Sequence, residues 1–290
     1  MILLNNILEM IGNTPIIKIE SNIYAKLEFF NPFGSIKDRA AYQIITDEEK
    51  NGNLQNGVNI IEATSGNMGI SLAAIGNIKG YQTTIVMPEN MSIRRRELIK
   101  AFGGDLLLTK AEFGMSGAID EAEKLTCNQG IYMTRQFENH SSVKAHYLTT
   151  APEIDKQMNG KVDVIVCGIG TGGTITGIAN YFYGSNVKII GVEPEKSPFL
   201  TKGYSGMHSI QGIGAGFCPK ILNIDLIHEI IAVSDDDALF YTRMLLKKYG
   251  LFVGISSGAV YCAALKMAER EEFIDKNIVI ICADSGERYL

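Results

Sequence analysis

Val162-Asp-Val-Ile-Val-Cys-Gly-Ile-Gly-Thr-Gly-Gly-Thr174 is an apolar run that turns directly into a glycine loop. The residues after it, Ile175-Thr-Gly-Ile-Ala-Asn-Tyr-Phe182, carry helical spacing. Strand, glycine turn and helix in that order make a β-loop-α unit. The same alternation spreads to both sides of this stretch. Val58–Glu62 precedes a helix through Leu72–Ile75, Thr83–Met87 a helix over Ser92–Phe102, and Asp105–Thr109 a helix over Gly117–Cys127. Val187–Val192 and Ile278–Cys282 continue the pattern. Uninterrupted apolar strands separated by helices predict an α/β fold, with a parallel sheet covered on both faces. Periodicity weakens between residues 135 and 160, where a lobe boundary is expected. In such sheets ligands gather at the carboxyl ends of the strands, where several of these runs end in glycine-containing loops.

Gly168, Gly170 and Gly173 satisfy G-x-G-x-x-G, and Glu193 follows 20 residues after Gly173. That spacing is the dinucleotide fingerprint and raises an NAD-dependent oxidoreductase as one reading. The loop amides and the helix start form an anion site in any case. Thr171 and Thr174 add hydroxyl donors, which suit a compact terminal phosphate better than a pyrophosphate.

Composition narrows the classes. The chain has 290 residues, 46 % of them hydrophobic and 20 % charged, with a net charge of −5. A negative balance offers nothing to neutralise a phosphate backbone, so a nucleic-acid partner is not expected. Arg94-Arg95-Arg96, the only basic run, reads as a solvated helix face. Ser234-Asp-Asp-Asp237 reads as a capped helix start rather than an acid cluster. The five cysteines form no C-x-x-C, and Cys167 and Cys282 sit in apolar runs, which fits a reducing cytoplasm. The four histidines lack zinc spacing, so they read as structural or surface residues and no metal is expected. Neither a secretory signal nor a membrane span is read from the apolar runs.

Three further motifs carry chemistry. In Asn31-Pro-Phe-Gly-Ser-Ile-Lys-Asp-Arg39, Ser35 is a good N-cap, which places Lys37 in a first helical turn. A cation there opposes the helix dipole, favouring the neutral amine that forms Schiff bases. Thr64-Ser-Gly-Asn-Met-Gly69 offers a second anion nest suited to a carboxylate. Val253-Gly-Ile-Ser-Ser-Gly-Ala259 opens another helix, with Ser256 or Ser257 as its cap.

Together with Ile11-Gly-Asn-Thr-Pro15, Ala25–Pro32, Gly191-Val-Glu-Pro194, Ile210–Phe217 and Gly286–Leu290, these motifs run in order to the end of the chain. So ordered, the sequence resembles the cysteine synthase (O-acetylserine sulfhydrylase) and cystathionine β-synthase family of fold-type II pyridoxal-phosphate enzymes. The resemblance implies a tryptophan synthase β-like fold of two lobes, each with a mostly parallel sheet flanked by helices. Residues 1–34 would cross into the C-terminal lobe. Residues 35–140 would form the N-terminal lobe, with a mobile subdomain near 78–125, and 141–290 the lobe that binds the cofactor phosphate.

The resemblance also implies roles. Lys37 would hold pyridoxal 5′-phosphate as a Schiff base and then move the substrate α-proton. Gly170, Thr171, Gly172, Gly173 and Thr174 would bind the phosphate, Asn67 the ring 3′-oxygen, and Ser256 would face the pyridine nitrogen. Thr64, Ser65, Gly66, Asn67, Gln136 and Gly212 would line the substrate site. The expected reaction is O-acetyl-L-serine plus sulfide to L-cysteine and acetate. O-phosphoserine sulfhydrylation, cysteine desulfhydration and cystathionine formation are alternatives. Expected partners are a second copy of the chain and the C-terminal peptide of serine acetyltransferase. The sequence departs from the family pattern at Met68, where threonine is usual, and at Phe33 and Ala151, where glycine is common.

Overall fold

A computed structural model describes residues 3–127 and 130–289; Leu290, which ends the last motif above, lies outside them. The chain begins with β1 (Ile16–Lys18), β2 (Ile23–Leu27), α1 (Lys37–Lys50), β3 (Asn59–Ala63) and α2 (Asn67–Ile78). It continues through β4 (Thr83–Pro88), α3 (Ile93–Ala101), β5 (Asp105–Thr109), α4 (Gly114–Leu125) and β6 (Ile131–Met133). Next come α5 (Ser141–Ala145), a π-helical turn (His146–Thr150), α6 (Ala151–Gln157), β7 (Val164–Gly168), α7 (Gly173–Tyr181) and β8 (Lys188–Pro194). Then follow α8 (Phe199–Lys202), β9 (Glu229–Val233), α9 (Asp235–Tyr249), α10 (Ile255–Ala268) and β10 (Ile278–Cys282). Two compact units result, Met1–Ile11 with Lys37–Ser142 and Gly12–Ile36 with Val143–Leu290.

The first unit holds a four-stranded parallel sheet in the order β5-β4-β3-β6. Ile61, Ala63, Val86 and Met133 pack against Ala118 and Ala122 of α4. Every residue of α2 from Met68 to Gly76 is buried, so this helix is a core element and not an amphipathic cover. It lies close to β4: a Cβ at Gly76 would stand 2.3 Å from the Thr83 hydroxyl. Glycine at that position permits the approach.

The second unit holds a six-stranded sheet in the order β1-β2-β10-β7-β8-β9, parallel except where β1 meets β2. Alternate residues of each central strand feed opposite faces, as the twofold repeat of a strand demands. Val164, Val166, Ile278 and Ile280 pack with α10 and α9, through residues such as Val260, Ala263 and Leu245. Ile165, Cys167, Val279 and Ile281 pack with Ile154 of α6 and Ile175 and Ile178 of α7. Both faces are therefore buried, which explains why these strands read as continuous apolar runs.

The strands expected from apolar runs all form. Four short ones, β1, β2, β6 and β9, were not visible in that pattern. In β2 the run is interrupted by Lys26, which is fully buried. Its ammonium meets the Thr14 carbonyl at 2.7 Å, the Glu153 carboxylate at 2.6 Å and the Gln157 side chain at 2.9 Å. That full set of acceptors offsets the loss of hydration.

Candidate active site

In the first unit the expected residues cluster at helix starts and at the carboxyl edge of the sheet. Lys37 is the first residue of α1 and half-buried. Ser35 does not immediately precede the helix. It forms an isolated bridge to Asp284 within the second unit, and the Ile36 amide donates to the Ala283 carbonyl at 2.8 Å. The residue before the lysine is thus pinned to the end of β10. On the other side, the Ser71 hydroxyl donates to the Asp38 carboxylate at 2.6 Å. Ser71 belongs to α2 and also reaches the Asn67 carbonyl at 3.1 Å, so the first turns of α1 and α2 are tied together. Lys37 and Asn67 are brought to one region by that tie.

Thr64, Ser65 and Gly66 form the turn between β3 and α2, with Gly66 as the helix cap. The Thr64 hydroxyl accepts from the Gly66 amide at 3.2 Å. Met68 is 1 % exposed and belongs to the interior, so the threonine-to-methionine departure adds packing to α2 while the polar residues of the turn keep their places. Arg95 corrects the sequence reading of a solvated basic run. It is buried, and its guanidinium donates to the Ser65 carbonyl at 3.1 Å. The triple-arginine run hides this role because adjacent helical positions face different ways. Gln136 lies just past β6, the neighbour of β3, and is buried.

In the second unit the glycine loop leaves β7 and enters α7, with Gly172 as cap at φ +86°. A Cβ at Gly170 would stand 2.3 Å from the Gly212 carbonyl oxygen, and one at Gly172 would stand 2.8 Å from Leu222 Cβ. The loop is therefore held by close backbone packing, which brings Gly212 against Gly170. The Gly214 amide donates to the Ile169 carbonyl at 2.9 Å, which locks the 210–214 segment to the same turn. Behind the loop the Thr174 hydroxyl lies 3.1 Å from His146 Nε2, and His146 Nδ1 lies 2.8 Å from the Thr150 hydroxyl. His146 is 1 % exposed and is a satisfied structural histidine, as its class was read. Its contact with the glycine loop was not legible, because it comes from a π-helical turn that has no periodic signature.

Ser256 is buried in the first turn of α10, whose cap is Gly254. Neither serine of that motif caps the helix, contrary to the sequence expectation. A Cβ at Gly254 would stand 2.1 Å from the Asp284 carboxylate, so only glycine fits there. Ser234 does cap α9, accepting from the Asp237 amide at 3.1 Å. Glu193 accepts from the Leu200 amide at 2.9 Å and the Thr201 amide at 3.2 Å, and from the Thr201 hydroxyl. The acid that a dinucleotide would need is thus committed to starting α8.

The donor set fits a phosphate dianion. The first amides of a helix lack intrahelical partners, and here they are joined by Thr171 and Thr174. Within the first unit, Lys37 and Asn67 each stand at a helix start. No group of three or more metal-binding side chains occurs among the described residues, nor any helix long and apolar enough to cross a membrane.

A family model described as pyridoxal-phosphate dependent enzyme matches residues 7–284. The chain is 48 % identical to cysteine synthase B of Campylobacter jejuni, over 97 % of this chain and 95 % of that one. It is similar to the crystal structure of cysteine synthase from Entamoeba histolytica, with TM-score 0.96 and 41 % identity, covering 99 % of this chain and 89 % of that one. A hydrogen sulfide-producing enzyme of Fusobacterium nucleatum is similar at TM-score 0.94 and 43 % identity, covering 99 % and 100 % of the two chains.

Proposed function

The chain belongs to the pyridoxal-phosphate dependent enzyme family, and on that premise we propose that it is a cysteine synthase, converting O-acetyl-L-serine and sulfide to L-cysteine and acetate. The observation that carries the reading is that one chain holds both a lysine at the start of α1 in the first unit and a threonine-flanked glycine loop at the start of α7 in the second. Bound pyridoxal phosphate supplies an electron sink for negative charge that develops at the substrate α-carbon.

The chain's own residues do the rest. Gly170, Thr171, Gly172, Gly173 and Thr174 hold the phosphate through amides and hydroxyls. Asn67 donates to the ring 3′-oxygen. Ser256 offers the ring nitrogen a neutral hydroxyl; a carboxylate there would hold it protonated. Thr64, Ser65, Gly66, Asn67 and Gln136 take the substrate carboxylate, with Gly212 at the margin. Lys37 Nζ removes the α-proton, acetate leaves from the β-carbon, sulfide adds there, and the proton returns from Nζ. Segment 78–125, which contains β4, α3, β5 and α4, closes on the bound substrate.

The partners proposed are a second copy of this chain and a C-terminal peptide of serine acetyltransferase, whose terminal carboxylate suits the same donors as the substrate's. Exposed Tyr183 and Leu148 are consistent with a covered face. Light scattering of purified protein tests the dimer, which a monomer at micromolar concentration would exclude. Cys127, Cys167, Cys218, Cys262 and Cys282 are thiols that form no disulfide among the described residues, which supports a reducing cytoplasmic setting. Release of sulfide from cysteine is a second reading, favoured by the likeness to the Fusobacterium enzyme.

The test is direct. Wild-type protein should bind pyridoxal phosphate with a visible absorption band that O-acetylserine alters, and should form cysteine from sulfide. Lys37→Ala should lose the lysine-linked band and at least about a thousandfold in turnover. Retention of the band would overturn the assignment of Lys37. Cysteine turnover without cysteine formation would favour the second reading.

A further inference from the structure

Glu62 is the fourth residue of β3, two positions before Thr64, and is 2 % exposed. A buried carboxylate inside a parallel strand is costly unless its oxygens are occupied. Its Oε2 accepts from the Thr134 hydroxyl and from the Gln136 amide, the latter at 3.2 Å. These donors flank Arg135, whose φ of +49° places it in the left-handed region. A non-glycine residue is disfavoured there and persists where its surroundings over-determine it. The rest of the turn is also fixed. The Thr134 amide donates to the Ile61 carbonyl at 3.1 Å, and the Glu138 amide to the Arg135 carbonyl at 2.8 Å. The Asn139 side chain reaches the Thr134 carbonyl at 3.1 Å. Burial raises the Glu62 carboxyl to about 7, against the lowering effects of the Thr134 hydroxyl, the Gln136 and Ala63 amides and the Arg135 cation.

We propose that Glu62 is a positioning residue for substrate recognition: its carboxylate clamps both sides of the left-handed Arg135 turn and so fixes the backbone from which the Gln136 side chain reaches the substrate carboxylate. The proposal rests on the reading of Gln136 as a carboxylate contact. Glu62 itself need touch neither substrate nor cofactor. Loosening the clamp therefore penalises ligands that carry a carboxylate and spares those that lack one.

The experiment titrates holoenzyme with O-acetylserine and with 2-aminoethyl acetate, which has the same amine and ester but no carboxylate, following the visible band. At about pH 8, Glu62→Gln should bind O-acetylserine about tenfold more weakly and 2-aminoethyl acetate within about twofold of wild type. Cofactor loading and the Lys37-linked band should be unchanged. Gln136→Ala should show the same selective loss, and the double variant should add little to it, since the two act as one unit. Equal losses for both ligands, no loss for either, or additive losses in the double variant would overturn the role of Glu62. A Gln136→Ala variant with unchanged affinity for O-acetylserine would instead overturn the reading of Gln136. Where Glu62→Gln does not fold, Thr134→Val removes one clamp donor and keeps the carboxylate. It should give a smaller loss of the same selectivity, and an unselective effect would overturn the proposal.

Discussion

The glycine loop after β7 and the Thr64 turn after β3 are both strand-to-helix turns, yet they are held in different ways. Backbone supports the glycine loop. Gly170 meets the Gly212 carbonyl, and Gly172 meets Leu222, at distances that leave no room for a Cβ. Side chains support the turns of the first unit: Arg95 from α3 holds the Ser65 carbonyl of the Thr64 turn, and buried Glu62 holds the turn after the neighbouring strand β6. A backbone-packed loop cannot yield without moving the core, which suits a cofactor phosphate that stays bound. A turn braced by long side chains can adjust, which suits a substrate that comes and goes. The comparison fails if substitutions in the two turns have interchangeable effects.

Gly170→Ala should have the largest effect. Its Cβ would lie 2.3 Å from a backbone carbonyl oxygen, and the β7–α7 turn would have to move. Pyridoxal-phosphate affinity should fall by about a hundredfold or more, at a stability cost of roughly 2–3 kcal/mol. Equilibrium dialysis of the cofactor measures the first and denaturant unfolding the second. Near-normal cofactor affinity would mean that the loop adjusts as readily as the Thr64 turn.

Glu62 tests the other brace through pH. Its folded pKa, about 7, lies above the ordinary glutamate value of 4.5, so the native state holds an extra proton between them. Stability from this group is full below about pH 4.5 and is lost as pH rises through about 7. The loss is about 3 kcal/mol in all. Denaturant unfolding from about pH 5 to about pH 8 should therefore show a downward slope in wild type that is reduced in Glu62→Gln. Parallel slopes would contradict it.

The two turns also differ in what the sequence made legible. The glycine loop was readable because backbone packing demands glycine, and glycine is visible as a letter. Lys37 was readable for a related reason: its place in a first helical turn follows from local periodicity. The side-chain braces of the Thr64 turn and of the turn after β6 were not readable. Arg95 looks like its neighbours Arg94 and Arg96, and Glu62 looks like the polar end of an apolar strand. Both become significant only when the sheet order sets β6 beside β3 and α3 near the turn. β2 escaped for the same reason. Lys26 breaks its apolar run, and the acceptors that allow its burial, Glu153 and Gln157, lie more than a hundred residues away.

Arg95→Ala should have a middle-sized effect. It removes the Ser65 carbonyl's donor at 3.1 Å and leaves the glycine loop untouched. O-acetylserine should bind about tenfold more weakly, with cofactor affinity unchanged, because a hydrogen bond from a charged group contributes about 1.5–3 kcal/mol. A matching loss of cofactor affinity would erase the distinction between the turns.

Thr174 probes the one place where the glycine loop does depend on side chains. Its hydroxyl lies between the loop and His146, and both imidazole nitrogens are occupied, at 3.1 and 2.8 Å. A hydroxyl so placed is oriented by the ring, and on the proposed reading its remaining hydrogen-bonding capacity would serve the cofactor phosphate. Thr174→Val keeps the shape and removes that capacity, so cofactor affinity should fall by about fivefold, the equivalent of one hydrogen bond near 1 kcal/mol. Thr174→Ser should restore most of it. The small size of the loss is the point: if backbone holds the phosphate as proposed, deleting one side-chain donor should cost far less than inserting one methyl group at Gly170. If Thr174→Val instead matched Gly170→Ala, the His146–Thr174 pair would carry the loop, and both turns would be braced by side chains.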